Sequence, residues 1–472
     1  MRGLFSMRTL PAAAVSVLAA SGAQAAEGLN GAAMPIAFAI PFAGILLSIA
    51  LCPLFVQRWW HAHYGRAAAF WSIASVAPLL WSFGAQATAE AVFHTLALEY
   101  LPFILMLLAL FTAAGGVVVH GNLRGSPVVN TLLLASGSVL ASIIGTTGAA
   151  MLLIRPLLRA NDNRRDNAHV FIFIIFVVAN IGGALSPLGD PPLFLGFLRG
   201  VDFFWTTRNL FQETIFALAF LLALFFLIDV WFHRREGDAG ADPTPRAGLR
   251  LTGVVNIFLL AVAIGAIILS GVWKPGIEVT ILGSSLPLQN LVREATMIGV
   301  CLASIALTDG AARRANGFDW EPIREVAKLF SAIFICIIPV MAMLQAGDSG
   351  AFAKLLSLVA RADGGPDNVA YFWLTGLLSS LLDNAPTYLV FFQLAGGDPA
   401  RLMGPLADTL AAISLGAVFM GAMTYVGNAP NFMVYAIARD ANIRMPGFFG
   451  YMLWSAAILG PLFVLVTWLF VR

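Results

Sequence analysis

Long apolar runs, separated by short polar or basic stretches, follow one another along nearly the whole chain. A membrane-crossing helix needs about 20 consecutive apolar residues. Runs of roughly that length fall at 34–56, 67–84, 95–119, 205–232, 251–272, 291–308, 325–345 and 447–470. Four further runs carry polar, glycine or proline residues at their middles. Residues 127–160 have only Gly145-Thr146-Thr147-Gly148 at the centre, and 367–395 have Asp383-Asn384-Ala385-Pro386. Each is long enough for two short helices that meet at a tip and return to the side they came from. Residues 168–198 are interrupted near 186–192, and 405–437 near 424–430, which predicts helices broken inside the membrane.

These four stretches are two copies of one pattern. A shift of 238 positions takes Ser142 to Ser380, Gly183 to Gly421, Ser186 to Thr424, Gly189 to Gly427, Asp190 to Asn428 and Pro192 to Pro430, with no gap. The expected fold is therefore an all-α integral membrane protein of two repeats, each with about five crossings and one re-entrant hairpin. Five is odd, so the halves are expected to be inverted relative to each other.

The domains predicted are a secretory signal at 1–26, a first repeat at 27–232, a polar cytoplasmic linker at 233–250 and a second repeat at 251–472. The signal rests on Arg2 and Arg8, the apolar stretch 10–20 and Ala23-Gln24-Ala25 as a cleavage site. It implies a mature N-terminus in the periplasm and a place in the bacterial inner membrane. Loops assigned to the cytoplasm, among them 57–66, carry more Lys and Arg than the others, as the positive-inside rule requires.

Composition agrees with the pattern. Of 472 residues, 59% are hydrophobic and 11% charged, well outside the range of soluble domains. The net charge of +2 gives no reason to expect a nucleic-acid partner. The bilayer is the expected surrounding. Cys52, Cys301 and Cys336 lie in apolar runs without metal-ligand spacing and read as packing residues. His61 and His63, and the Trp59-Trp60 pair, read as interfacial.

Two tips and two breaks meeting at mid-membrane are the ingredients of a transporter site, because broken helices leave backbone groups and small polar side chains to replace an ion's water shell. Thr146, Thr147, Ser186, Asn384 and Thr424 supply oxygens there, with Ser380 beside the second tip. Asp383 is the most informative residue: a carboxylate in an apolar segment costs about 2.5–3.5 kcal/mol on insertion scales, and it can exchange a proton for a cation. It also suits a helix N-cap. Asp190 is a candidate ion contact or an N-cap ahead of Pro191 and Pro192. Asn180 is a site oxygen or an interhelical hydrogen bond. Arg155 reads as snorkelling to the interface, and Glu99 as interfacial.

At Leu-Leu-Asp-Asn-Ala-Pro-Thr (381–387), Leu-Ala-Leu-Glu-Tyr-Leu-Pro-Phe (96–103) and Ser-Pro-Leu-Gly-Asp-Pro-Pro (186–192), the sequence resembles the ion transporter superfamily. That group includes NhaD-type sodium/proton antiporters, citrate carriers, arsenite permeases and sodium-coupled dicarboxylate carriers. The resemblance implies a scaffold and a transport domain moving as an elevator, in a homodimer. It matches Asp383 and Asn384 to the acidic hairpin tip, with Na⁺ as their metal, and Asp190 and Asn428 to the broken-helix loops. The chain departs from the antiporters at Gly145-Thr146, where they tend to have Asp-Asn. Sodium/proton antiport is the leading expectation, with Na⁺ and H⁺ as transported ions and no cofactor. A cation-coupled citrate or dicarboxylate carrier is the rival. Two membrane carboxylates also suit an intramembrane aspartyl protease, but its Gly-x-Gly-Asp pattern is not met at Ser186-Pro187-Leu188-Gly189-Asp190, and no enzymatic activity is expected.

Overall fold

The computed structural model describes residues 29–236, 247–282 and 284–471. The expected signal at 1–26 lies outside them. In lipid the backbone must satisfy its own hydrogen bonds, so apolar runs become helices. Helix α1 (Ile40–Phe55) is joined through Val56 to α2 (Gln57–Thr95), which changes direction at Gly84 (φ 82°, ψ 169°), a backbone region that glycine enters without strain. A π-helical turn, Leu96–Tyr100, continues into α3 (Leu101–Ala114).

The expected loop at 57–66 is thus helical. Its Tyr64 is buried, and Tyr64 Oη donates to Glu321 Oε1 at 2.8 Å. The expected interfacial pair also divides, with Trp59 half exposed and Trp60 fully buried.

In the first half, α4 (Pro127–Ile144) and α5 (Thr146–Ala160) form a hairpin hinged at Gly145. Next come α6 (Ala168–Phe173), a π turn (Ile174–Val178), a 3-10 turn (Ile181–Leu185) and α7 (Pro191–Leu198). The expected single span at 205–232 is instead a short α8 (Trp205–Asn209) followed by α9 (Phe211–Glu236).

The second half begins with α10 (Val255–Val272), α11 (Leu288–Leu307), α12 (Gly310–Ala315), α13 (Glu321–Gln345) and α14 (Ala353–Leu358). Its hairpin is α15 (Asn368–Leu381) with α16 (Asn384–Leu394). After α17 (Pro399–Met403), the broken element is α18 (Ala407–Met420), a 3-10 turn (Gly421–Met423) and α19 (Ala429–Asp440), and α20 (Phe448–Phe470) follows.

The end of the predicted linker forms a strand. Strand β1 (Val118–Asn122) pairs antiparallel with β2 (Ala247–Thr252), Val118 opposite Thr252. A second hairpin, β3 (Glu278–Ile281) with β4 (Ser284–Pro287), lies between α10 and α11. Nine helical stretches among the described residues are long and apolar enough to cross a membrane. This is an all-α, multi-pass membrane protein.

The helices pack in two groups. In one, α13 lies on α2, α11 on α3, and α10 on both α3 and α11. In the other, α18 packs on α15, α7 on α16, α9 on α4 and α19 on α5. The groups meet where α13 packs on α16 and α3 on α5. A buried polar cluster fixes the base of the first hairpin to α9. There Asp229 accepts from Arg164, from His169 at 2.8 Å and from Asn130 at 2.9 Å. All four residues are buried.

Candidate functional site

Asp190 is the centre of the arrangement and is 1% exposed. Asn428 Nδ2 donates to its Oδ1 at 3.0 Å, Asn384 Nδ2 to its Oδ2 at 2.6 Å, and Thr146 Oγ1 to its Oδ1 at 3.4 Å. One carboxylate is thereby reached from both hairpin tips and from the opposite broken helix. Its local sequence explains why it is free to do this. Asp190 occupies the N-cap position of α7, but Pro191 and Pro192 take the first two helical positions. Proline has no N–H to be capped, the side chain makes no capping bond, and it turns toward the tips instead. Among the described residues no cationic side chain bonds to it.

Asp383 sits beside this centre and caps α16, its Oδ1 accepting from Ala385 N at 3.0 Å. The two carboxylates are electrostatic neighbours. Asn384 Oδ1 is buried with no hydrogen-bond partner. Such an atom is costly to leave empty, and an oxygen beside a carboxylate is a ligand for a hard cation. Among the described residues no cluster of three His, Cys, Asp or Glu is present, so an ion here would be bound by carboxylate, amide, hydroxyl and backbone oxygens.

The two breaks share their local geometry. The hydroxyl of Ser186 donates to Ser142 O, and that of Thr424 to Ser380 O at 2.6 Å. Leu188 N bonds Ser186 Oγ at 3.2 Å, and Val426 N bonds Thr424 Oγ1 at 3.1 Å. These pairs obey the 238-residue shift, so the two breaks match in local hydrogen bonding as well as in sequence. Both breaks also cross themselves closely. A Cβ on Gly189 would lie 2.0 Å from Gly183 O, and one on Gly427 would lie 2.6 Å from Gly421 O. Gly189→Ala is expected to destabilise the protein by about 1–3 kcal/mol, the usual range for overpacking. Gly265→Ala, with open space around it, should not. Thermal denaturation of detergent-solubilised protein compares the two.

The remaining expected residues serve in different ways. Asn180 is fully buried and lies in the break itself, with non-helical φ and ψ. It donates to Asn431 Oδ1 at 2.7 Å and accepts from Asn428 Nδ2 at 3.2 Å. The Ser186 and Thr424 hydroxyls donate to backbone rather than to Asp190. Ser380 Oγ bonds Leu377 O of its own helix at 2.7 Å, leaving its carbonyl to the site. Thr147 is half-buried on the first turn of α5.

Two ionic residues depart from expectation. Arg155 Nε donates to Asn316 O at 2.9 Å, so it binds the end of α12 instead of snorkelling free. Glu99 is not an interfacial group standing alone. It pairs with Arg199 at 2.8 Å, joining the π turn to the end of α7. Asn431 was not foreseen, although a polar residue one turn past Asn428 in an apolar helix is a legible signal.

The helices define a multi-pass membrane protein with its polar residues gathered where helices break. The chain matches, over residues 31–471, the family described as "Putative citrate transport". It belongs to that family, and it is a transporter. Two mycobacterial proteins, each named an uncharacterized transporter, one from Mycobacterium bovis and one from Mycobacterium tuberculosis, are 27% identical to it over 337 residues. The match covers 68% of this chain and 71% of each of theirs.

Proposed function

We propose that the protein is a sodium/proton antiporter of inverted halves, in which Asp190, with Asp383 beside it, carries alternately a cation and a proton. The observation that supports this reading is a buried carboxylate with only neutral partners, Thr146, Asn384 and Asn428. A buried charge without a counter-charge is expensive, and either a proton or a metal cation relieves it. Because both compete for one group, Na⁺ binding must release H⁺.

Adding NaCl to purified protein in weakly buffered detergent solution should therefore acidify the medium. KCl should have much less effect, and the apparent Na⁺ affinity should fall as the pH is lowered. Asp190→Asn should abolish the release. Absence of proton release from the wild type at any pH would contradict exchange.

The family's description supports a second reading, cation-coupled carriage of citrate or a related carboxylate. Asn180, Asn384, Asn428 and Asn431 make the site rich in amides, which suit an anion. On this reading Na⁺ binds without releasing protons, and labelled citrate enters vesicles only when Na⁺ is present.

A further inference from the structure

The two halves share tips and breaks, yet the second break has an internal side-chain donor, Asn431, that the first does not match. Asn431, fully buried, directs its amide N–H groups to Gly421 O at 2.8 Å and Thr424 O at 2.9 Å. Both carbonyls belong to the second break. Tyr451 Oη donates to Ala422 O and Ser455 Oγ to Met423 O, each at 2.7 Å, so four consecutive residues, Gly421 to Thr424, have carbonyls held by side-chain donors. In the first break Leu185 O, the counterpart of Met423 O, is likewise held, by Thr206 and Thr207. Thr424 Oγ1 is itself occupied, accepting from Val426 N and Gly427 N.

The 238-residue shift places Leu193 opposite Asn431 and Glu213 opposite Tyr451. A leucine has no donor, and an ionised carboxylate has none either. The first break instead carries Asp190, where the second has the neutral Asn428. The orphaned Asn384 Oδ1 belongs to the residue that donates to Asp190. The second loop has a neutral amide and an internal donor; the first has the charge, with the open oxygen of Asn384 beside it on the second hairpin tip.

We infer that the side-chain amide of Asn431 stands in the second break where a cation would otherwise sit, so that the protein binds one cation per chain, at the first break. This deepens the proposed function and rests on it. An amide N–H pair and a small cation satisfy the same carbonyl lone pairs, but the amide is tethered and cannot leave with the cargo. It also sets the amide sequence Asn431, Asn180, Asn428 that ends on Asp190 Oδ1.

The test is equilibrium binding of radioactive sodium to the purified full chain, with wild type and Asn431→Asp in parallel. Wild type should bind one Na⁺ per chain, with exchange rising hyperbolically with Na⁺. In Asn431→Asp a carboxylate would face two carbonyls with no donor between them, and a second Na⁺ should be recruited, turning the dependence sigmoidal. Two ions on the wild type, or one on a folded Asn431→Asp, would overturn the inference while leaving exchange at Asp190 standing. Should the variant not fold, the wild-type stoichiometry decides alone. No Na⁺ binding by wild type would overturn the antiport reading and this inference with it.

Discussion

Asp190→Asn is expected to lower Na⁺ affinity by about a thousandfold while leaving the fold in place. A unit charge contributes about 4 kcal/mol at a separation of about 4 Å and an effective dielectric constant of about 20, which is close to three factors of ten in affinity. Asparagine has the same shape and keeps one oxygen for the amide of Asn428, while Asn384, whose own Oδ1 has no partner, can turn that oxygen toward the new N–H, so the second hairpin tip retains a partner. Equilibrium binding of radioactive sodium measures the loss, and an unchanged thermal midpoint shows that the packing survived. Asp383→Asn should weaken binding less, because Asp383 already spends one oxygen on the N–H of Ala385 and asparagine is also a good cap. Equal losses from the two substitutions would argue for a site shared evenly between them.

The second large effect concerns stability. Asp229→Ala should destabilise the protein by about 3–5 kcal/mol, the range for removing one partner of a buried ion pair. Asp229 accepts from Arg164, His169 and Asn130, and its loss leaves the Arg164 guanidinium buried with only Glu236 as a charged partner. The cluster fixes the base of the first hairpin to α9, so limited proteolysis between α5 and α6 should speed up as well. A large fall in thermal midpoint with Asp229→Ala, and a smaller one with Asp229→Asn, is the expected outcome. A midpoint within a degree of wild type would show that the cluster is not holding the hairpin. The shift by 238 positions puts Thr467 opposite Asp229, and Thr467 bonds only Phe463 O of its own helix. The second half therefore has no ionic counterpart at that position, and its hairpin should not respond.

The transmembrane class and the four special elements were legible in the chain because their signals are local and one-dimensional. Length of apolar run, glycine and proline at the break, and a fixed register between copies need no knowledge of packing. Gly145, Asp383, Ser186–Asp190 and Thr424–Asn428 all fall where helices stop or start. What the chain did not disclose is relational. Asp383 stood out because a carboxylate in an apolar run is conspicuous, whereas Asp190 looked like an ordinary cap. The two prolines that made it look so are the reason its side chain makes no cap. Glu99 and Arg199 lie a hundred positions apart, and neither reads as half of a pair until α7 and the π turn are placed side by side. The segment 57–66 was misjudged because a helix with one polar face reads as a loop: Gln57, Arg58, His61 and Arg66 are exposed, whereas Trp60 and Tyr64, four residues apart, are buried, Tyr64 on Glu321.

The central claim, that cation and proton compete at the carboxylate reached by both hairpin tips, is tested most directly by dye-reported pH gradients in everted membrane vesicles energised by respiration. Addition of NaCl should collapse the gradient in vesicles carrying the wild type, citrate alone should not, and vesicles carrying Asp190→Asn should respond to neither. A gradient untouched by Na⁺ at every pH, with labelled citrate entering only when Na⁺ is added, would contradict exchange and establish the carboxylate carrier in its place.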